Sequence, residues 1–427
     1  MAGASGDARM AAGALLPIAV LALVFVGIAV RRVGGIHLQI WQIMTLGALA
    51  VLVTGQISPG NALASINPDV MLFLFGMFVV GEALCRSGYL YVLSYRLFRR
   101  AGDVHELLLL ILFCMGAFSA LLMNDTLAII GTPLMLYFAE RFEISPKLLL
   151  MALAFAVTTG SVASPIGNPQ NLLIALHGGV ENPFVTFFAY LAAPTIISLV
   201  LAYACLWFFY PDQFCGRPLV HSREEVSDPQ LAALARLSLT VLLVLIAAKI
   251  AVVLLAVDVD FRLTYIALLS ALPVLIGSSR RMEVVKGIDW PTLIFFASMF
   301  VLMESVWESG FFQPMLMAAP VDLASTPVIL GTSIAACQLI SNVPFVALYL
   351  PVLSLLGTST LGLMALAAGS TIAGNMLILG AASNIIIIQN AERHGETLTF
   401  REFFRVGVPL TLLQAAVYGL FLCLLPL

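Results

Sequence analysis

Charge is what this chain of 427 residues has least of: 10% of its residues are Asp, Glu, Lys or Arg, against 61% hydrophobic, and its mean hydropathy is +1.05. No ordinary soluble core hides that much apolar surface, so the composition excludes a water-soluble globular protein and requires lipid as solvent. Close cysteine pairs are missing too. Cys85, Cys114, Cys205, Cys215, Cys337 and Cys423 are scattered, with no CxxC, and read as small apolar residues rather than a redox or metal site. There is no HExxH, and Asp125 has no acidic mate in the second half of the chain, so an intramembrane enzyme would lack its second catalytic group. The first apolar run, Ala11 to Val30, is followed by Arg31 and Arg32 instead of a small-residue cleavage site, which predicts a retained helix. No metal, cofactor or nucleic-acid partner is expected.

What is present is a plan written twice. Phe73, Met77, Phe78, Val79, Glu82, Ser87 and Gly88 return at one constant spacing as Phe295, Met299, Phe300, Val301, Glu304, Ser309 and Gly310. Met123 to Pro133 corresponds to Ser341 to Pro351, keeping Asn124 with Asn342 and Pro133 with Pro351. Met151, Thr158, Gly167, Asn171 and Ile174 return as Met364, Thr371, Gly380, Asn384 and Ile387. Each half reads as three full helices, two short arms meeting at a polar tip, a long interrupted helix and a last full helix. In the first half these are about 11 to 30, 40 to 57, 69 to 86, arms 106 to 122 and 126 to 139, 148 to 176 and 185 to 210. In the second they are about 237 to 257, 262 to 277, 290 to 306, arms 325 to 340 and 344 to 356, 361 to 390 and 405 to 427.

Arms this short are expected to be re-entrant hairpins, leaving five crossings per half. An odd number of crossings turns the halves over relative to each other. The expected fold is therefore an all-α polytopic membrane protein of two inverted repeats, 1–211 and 237–427, joined by a cytoplasmic linker, 212–236. Each repeat has five transmembrane helices and one re-entrant hairpin, with broken helices at the midplane. Placing both termini outside an inner (plasma) membrane puts 17 of the 20 basic residues on the cytoplasmic side, leaving Arg9 and Arg262 outside and Lys249 within a helix, as the positive-inside rule requires.

Backbone that leaves helical geometry at membrane depth must find partners in protein, water or solute. The sequence predicts four such places: tips at Asn124-Asp125-Thr126 and Ser341-Asn342, and breaks at Ser164 to Asn171 and Gly380 to Asn384. Pro165 and Pro169 remove donors and Gly167 and Gly380 permit sharp turns, so half-helix ends would offer free N–H and C=O groups. Asn124, Asp125, Thr126, Asn168, Asn171, Ser341, Asn342, Ser383 and Asn384 are the candidate substrate- or ion-binding residues. An isolated membrane Asn is usually cross-helix glue; pairs matched between repeats point to a solute site. Asp125, an acid at a membrane tip, is the candidate for proton coupling, against a static N-cap. Glu82 has Arg86 at i+4, so a local ion pair competes with a transport role there. His177 and His394 are expected in solvated loops.

At these residues the chain resembles the ion transporter superfamily, and within it the arsenite and antimonite permeases, or arsenical-pump membrane proteins. The resemblance covers nearly the full length and rests on the paired hairpins, the Asn124-Asp125 tip with Thr132-Pro133, and Ser341-Asn342-Val343-Pro344. It implies proton-driven efflux of arsenite or antimonite, with a soluble ATPase as a possible partner. The second break, Gly374 to Ile387, departs from those permeases and is more similar to sodium-coupled anion carriers. The alternatives are therefore a sodium/proton antiporter or a sodium-coupled inorganic or carboxylate anion carrier, with Na+ replacing H+. The paired Ser-Asn-Thr motifs of dicarboxylate carriers are absent, which argues against a dicarboxylate. A channel could use the same tips as a filter, but discontinuous helices favour alternating access.

Overall fold

The computed structural model describes residues 15–24, 26–27, 32–33, 36–89, 92, 98, 101–214, 228–254, 262–310, 322–340, 342–392 and 394–424. Apart from a two-residue antiparallel ladder pairing Arg32–Val33 with Ile36–His37, the regular structure is helical. In chain order the helices are α1 (Leu15–Val24), α2 (Ile40–Val53), α3 (Pro59–Ser65), α4 (Pro68–Arg86), α5 (Val104–Leu122), α6 (Asn124–Phe142), α7 (Pro146–Ser161), α8 (Pro169–His177) and α9 (Pro183–Phe209). They continue as α10 (Pro229–Leu254), α11 (Leu263–Gly277), α12 (Arg281–Gly287), α13 (Trp290–Glu308), α14 (Thr326–Ile340), α15 (Asn342–Leu355), α16 (Thr360–Ile372), α17 (Ala382–Glu392) and α18 (Phe400–Leu424). Among the described residues six helices are long and apolar enough to cross a membrane: α4, α5, α9, α10, α13 and α18.

Local chemistry explains where many of them start. Proline stands in the first turn of α3, α4, α7, α8, α9 and α13, where no intrahelical N–H is required. Side chains cap several of these ends: Ser58 Oγ accepts from the Asn61 N–H (3.1 Å), Asn67 Oδ1 from Val70 (3.0 Å) and Asp289 Oδ1 from Thr292 (3.2 Å).

Packing exchanges elements between the halves. α4 lies against α11 and α2 against α13, while α6 meets α17 and α8 meets α15. At the α4–α11 contact the backbones nearly touch: a Cβ on Gly76 would sit 2.7 Å from the Ala267 carbonyl. Gly116 of α5 and Gly160 of α7 abut so closely that a Cβ on Gly160 would overlap the Gly116 backbone. With little hydrophobic force between helices in lipid, such close approach supplies van der Waals attraction.

Several expected boundaries need correction. The first hairpin arms run 19 residues each and are not short; α5 carries a π-turn at Ile111–Met115. The reversal is made by Met123 alone, at φ 70° and ψ 140°, so Asn124, Asp125 and Thr126 form the first turn of α6 and not the tip itself. Holding a non-glycine residue there costs on the order of 1–3 kcal/mol. The second break comes earlier than Gly380: helix α16 stops at Ile372, 3₁₀ turns occupy Ala373–Asn375 and Ile378–Gly380, and Ser383 and Asn384 already belong to α17. The stretch expected as linker is helical from Pro229 onward. His177 closes α8 and is bonded, not in a loop. Ser341 lies outside the described residues.

Candidate functional site

The two helix breaks are stapled in the same way. Asn171 Nδ2 donates to the carbonyls of Ser161 (3.1 Å), Val162 (3.2 Å) and Ser164 (3.0 Å). Asn384, its mate, donates from Nδ2 to Gly374 O (2.6 Å) and Leu377 O (3.5 Å), which stand in the repeat register of Ser161 and Ser164. Each asparagine thus reaches back across its own break and occupies carbonyls that the interrupted helix leaves without partners. Asn168 caps α8, its Oδ1 accepting from Asn171 N (2.8 Å) while its Nδ2 donates to Ser161 Oγ (2.8 Å) and Thr371 Oγ1 (3.3 Å).

These bonds carry the site from one half to the other. Gln170 Nε2 also donates to Thr371 Oγ1 (3.3 Å), and Asn375 Nδ2 reaches Thr159 Oγ1 (3.0 Å) and Gln414 Oε1 (2.9 Å). The hairpins are tied in as well. The Asn124 N–H donates to Gly167 O (2.9 Å), and Gln338 Nε2 donates to Ala373 O (2.9 Å). Thr126 packs on Gly81 of α4, where a Cβ would overlap its methyl group. Gln170, Thr371, Asn375, Gln338 and Gln414 are absent from the candidate set drawn from sequence. The Thr158–Thr371 match between repeats was the available signal for one of them.

Not all of this polarity is satisfied within the protein. Among the described residues, Asn124 Oδ1 and Asn342 Oδ1, at matching positions, are buried without a partner, as are Thr158 Oγ1, Ser383 Oγ, Asn384 Oδ1 and Asn375 Oδ1. Buried polar atoms are normally bonded, so these atoms, which stand on the two hairpins and beside the two breaks, are available to a water molecule, an ion or a solute. The helix starts at Asn124, Pro169, Asn342 and Ala382 add N-terminal backbone dipoles to the same region. Asp125 is 6% exposed, has no hydrogen-bond or ion-pair partner among the described residues, and makes no cap bond to α6.

Asp125 opens onto a cavity of about 420 Å³ lined also by Gly81, Glu82, Thr126 and Asp289. Glu82 Oε1 accepts from Arg86 Nε (3.0 Å) and Nη2 (2.9 Å), the local ion pair that its spacing predicts. Beyond it, Arg86 approaches Glu283 (3.6 Å), which is held by Arg280, which in turn binds Asp228. The Leu231 N–H and then Arg280 hold Asp228 below the usual carboxylate range; Arg280 does the same to Glu283. Among the described residues no cluster of His, Cys, Asp and Glu suits a metal ion.

Comparison with known proteins gives this arrangement a context. A family model described as citrate transporter matches residues 23–361. The chain is 28% identical to a 46 kDa membrane protein of Mycobacterium leprae over 84% of its own length and 86% of the relative's. It is 27% identical to an uncharacterized transporter of Mycobacterium tuberculosis over 88% and 92%, and 25% identical to the human P protein over 88% of this chain and 55% of that one. The crystal structure of the Alcanivorax borkumensis YdaH transporter superposes with a TM-score of 0.58 at 16% identity, covering 96% and 98% of the two chains, and so shares the fold.

Proposed function

We propose that this chain, which belongs to the citrate transporter family, is a proton-coupled secondary carrier of a small carboxylate or other oxyanion. The observation that carries the reading is Asp125: a carboxylate buried at a hairpin turn, without a partner among the described residues, facing a cavity. An acid retained at such a cost inside a membrane protein marks an ion or proton pathway. Helix N-termini and the orphaned hydroxyls of Thr158 and Ser383, which can donate, suit an anionic solute, and a proton bound at Asp125 removes the negative charge that would otherwise repel it. Na+ is the alternative coupling ion, for which the orphaned oxygens of Asn124, Asn342 and Asn384 are suitable ligands.

The inverted-repeat plan, with both termini outside an inner membrane, belongs to the same proposal. It is supported by the reciprocal packing of α4 on α11 and α13 on α2, and by the shared cavity between the C-terminal end of α4 and the N-cap of α13. A second reading, efflux of neutral arsenite or antimonite hydroxide, is favoured by the lack of any Lys or Arg among the described buried polar residues. A soluble ATPase partner would accompany only that reading.

Counterflow in proteoliposomes tests the proposal. Vesicles loaded with each unlabelled solute of a panel, citrate, other carboxylates, phosphate and arsenite among them, are diluted into its labelled form. Transient uphill uptake of a carboxylate supports the carrier. Counterflow of arsenite alone selects the second reading, and uptake that never overshoots equilibrium indicates a channel.

A further inference from the structure

Two cavities lie at opposite ends of α4 and α13. One, described above, gathers Glu82, Asp125 and Asp289 beside Arg86. The other, of about 380 Å³, lies where α4 begins and α13 ends, and its lining includes Asn67, His177, Phe300, Glu304 and Trp307. Phe78 and Glu82 line the first cavity, and their repeat mates Phe300 and Glu304 line the second. The molecule therefore presents the same glutamate twice, once in each vestibule.

Their electrostatic company differs. Glu82 is committed to Arg86, whereas the residue standing in Arg86's place in the second repeat is Glu308, whose Oε1 accepts from Asn61 Nδ2 (2.9 Å). Glu304 has no hydrogen-bond or ion-pair partner among the described residues. Around it, α2 and α3 bring no titratable side chain, and α15 brings Tyr349, whose hydroxyl donates to Leu323 O. From α4 come Asp69, paired with Arg262 and Thr264 Oγ1, and Glu82 at the far end. From α8 comes His177. The Oδ1 of Asn67 is spent on capping Val70, so its Nδ2 faces His177 Nε2 (2.8 Å) and that nitrogen is the acceptor of a neutral imidazole. This leaves Glu304 as the acid of this vestibule that has no hydrogen-bond or ion-pair partner among the described residues, beside the neutral polar groups of Ser65, Asn67, His177 and Ser354.

We propose that Glu304 is the proton-exchanging group of this vestibule, taking a proton from solvent on the side opposite Arg86 and passing it to the buried site when the site opens there. The role rests on the proton-coupled reading above and assigns the second half of its pathway. It makes Glu304 a relay, not a solute ligand.

The test uses Trp307, which shares the vestibule, as a reporter that needs no transported solute. A single-tryptophan protein (W41F, W207F, W290F) is reconstituted in one orientation, with internal pH fixed and pH stepped from 8 to 5 on the side carrying the 57–68 loop. Trp307 emission is expected to titrate with pH on that side, the response disappearing in Glu304→Gln and returning with a displaced midpoint in Glu304→Asp. In the same vesicles, uptake of labelled citrate driven by a pH gradient should fall at least about tenfold in Glu304→Gln, with citrate exchange unchanged. A response that persists in Glu304→Gln, that is lost only in His177→Gln, or that follows the opposite side's pH overturns the proposal. So does an equal loss of driven uptake and exchange. If citrate is not moved by the wild-type protein, the substrate reading fails while the fluorescence arm still decides the role of Glu304.

Discussion

Replacing Asn171 by alanine removes one side-chain amide and strands three carbonyls, those of Ser161, Val162 and Ser164, at a buried break. Side-chain hydrogen bonds in membrane proteins average about 0.6 kcal/mol, and the two hydrogens of the amide, one shared between carbonyls, set a floor of about 1 kcal/mol. Buried acceptors left unsatisfied cost roughly 1–3 kcal/mol each, but a relaxing loop recovers part of that. The expected loss is thus about 2–4 kcal/mol. Asn384→Ala strands two carbonyls, one of them already at 3.5 Å, and should cost only about 1 kcal/mol. Equilibrium unfolding in mixed micelles measures both. Both variants should remain extractable, with transport impaired because the half-helix ends lose their geometry. An Asn171→Ala protein within about 0.5 kcal/mol of wild type, or an Asn384→Ala protein clearly the weaker of the two, would refute the staple argument.

Gly160→Ala forces a methyl group into the Gly116 backbone and should destabilise by about 1–3 kcal/mol, read as a lowered Tm in detergent. Arg280→Gln should lower Tm at pH 7. The carboxyls of Asp228 and Glu283 sit below their ordinary range in the folded protein, so the stability they lend is present above that range and vanishes as pH falls through their folded values. The Tm difference between variant and wild type should accordingly close below about pH 4. A cysteine in the 57–68 loop should react with an impermeant reagent added outside intact cells, and one near Arg281 should not; the reverse pattern ends the orientation argument.

Much of this was legible in the sequence because apolar length and positional identity survive without coordinates. The matched asparagines, the paired glutamates and the Pro133–Pro351 match are one-dimensional signals of a duplicated plan. What escaped depends on backbone geometry. No rule of composition anticipates that Met123 takes a left-handed turn by itself and frees Asn124 to begin a helix. The second break lacks the prolines that mark the first, so only packing reveals that α16 ends at Ile372, where Gly374 lies against Ala381 and Thr158. Gln338 and Gln414 stand in apolar helical runs, Gln170 lies within the first break, and the partners of all three are distant in the chain. Asn171 was legible as important, but its role in closing its own break requires seeing where its amide points.

The central claim, that Asp125 links solute movement to protons, is tested most directly by Asp125→Asn in proteoliposomes given only a pH difference. Asparagine keeps the size and hydrogen-bonding capacity of the side chain but does not titrate. The variant should lose accumulation of the solute identified by counterflow while retaining its downhill exchange. Accumulation by the variant to the wild-type level, driven by the pH difference alone, would contradict the account.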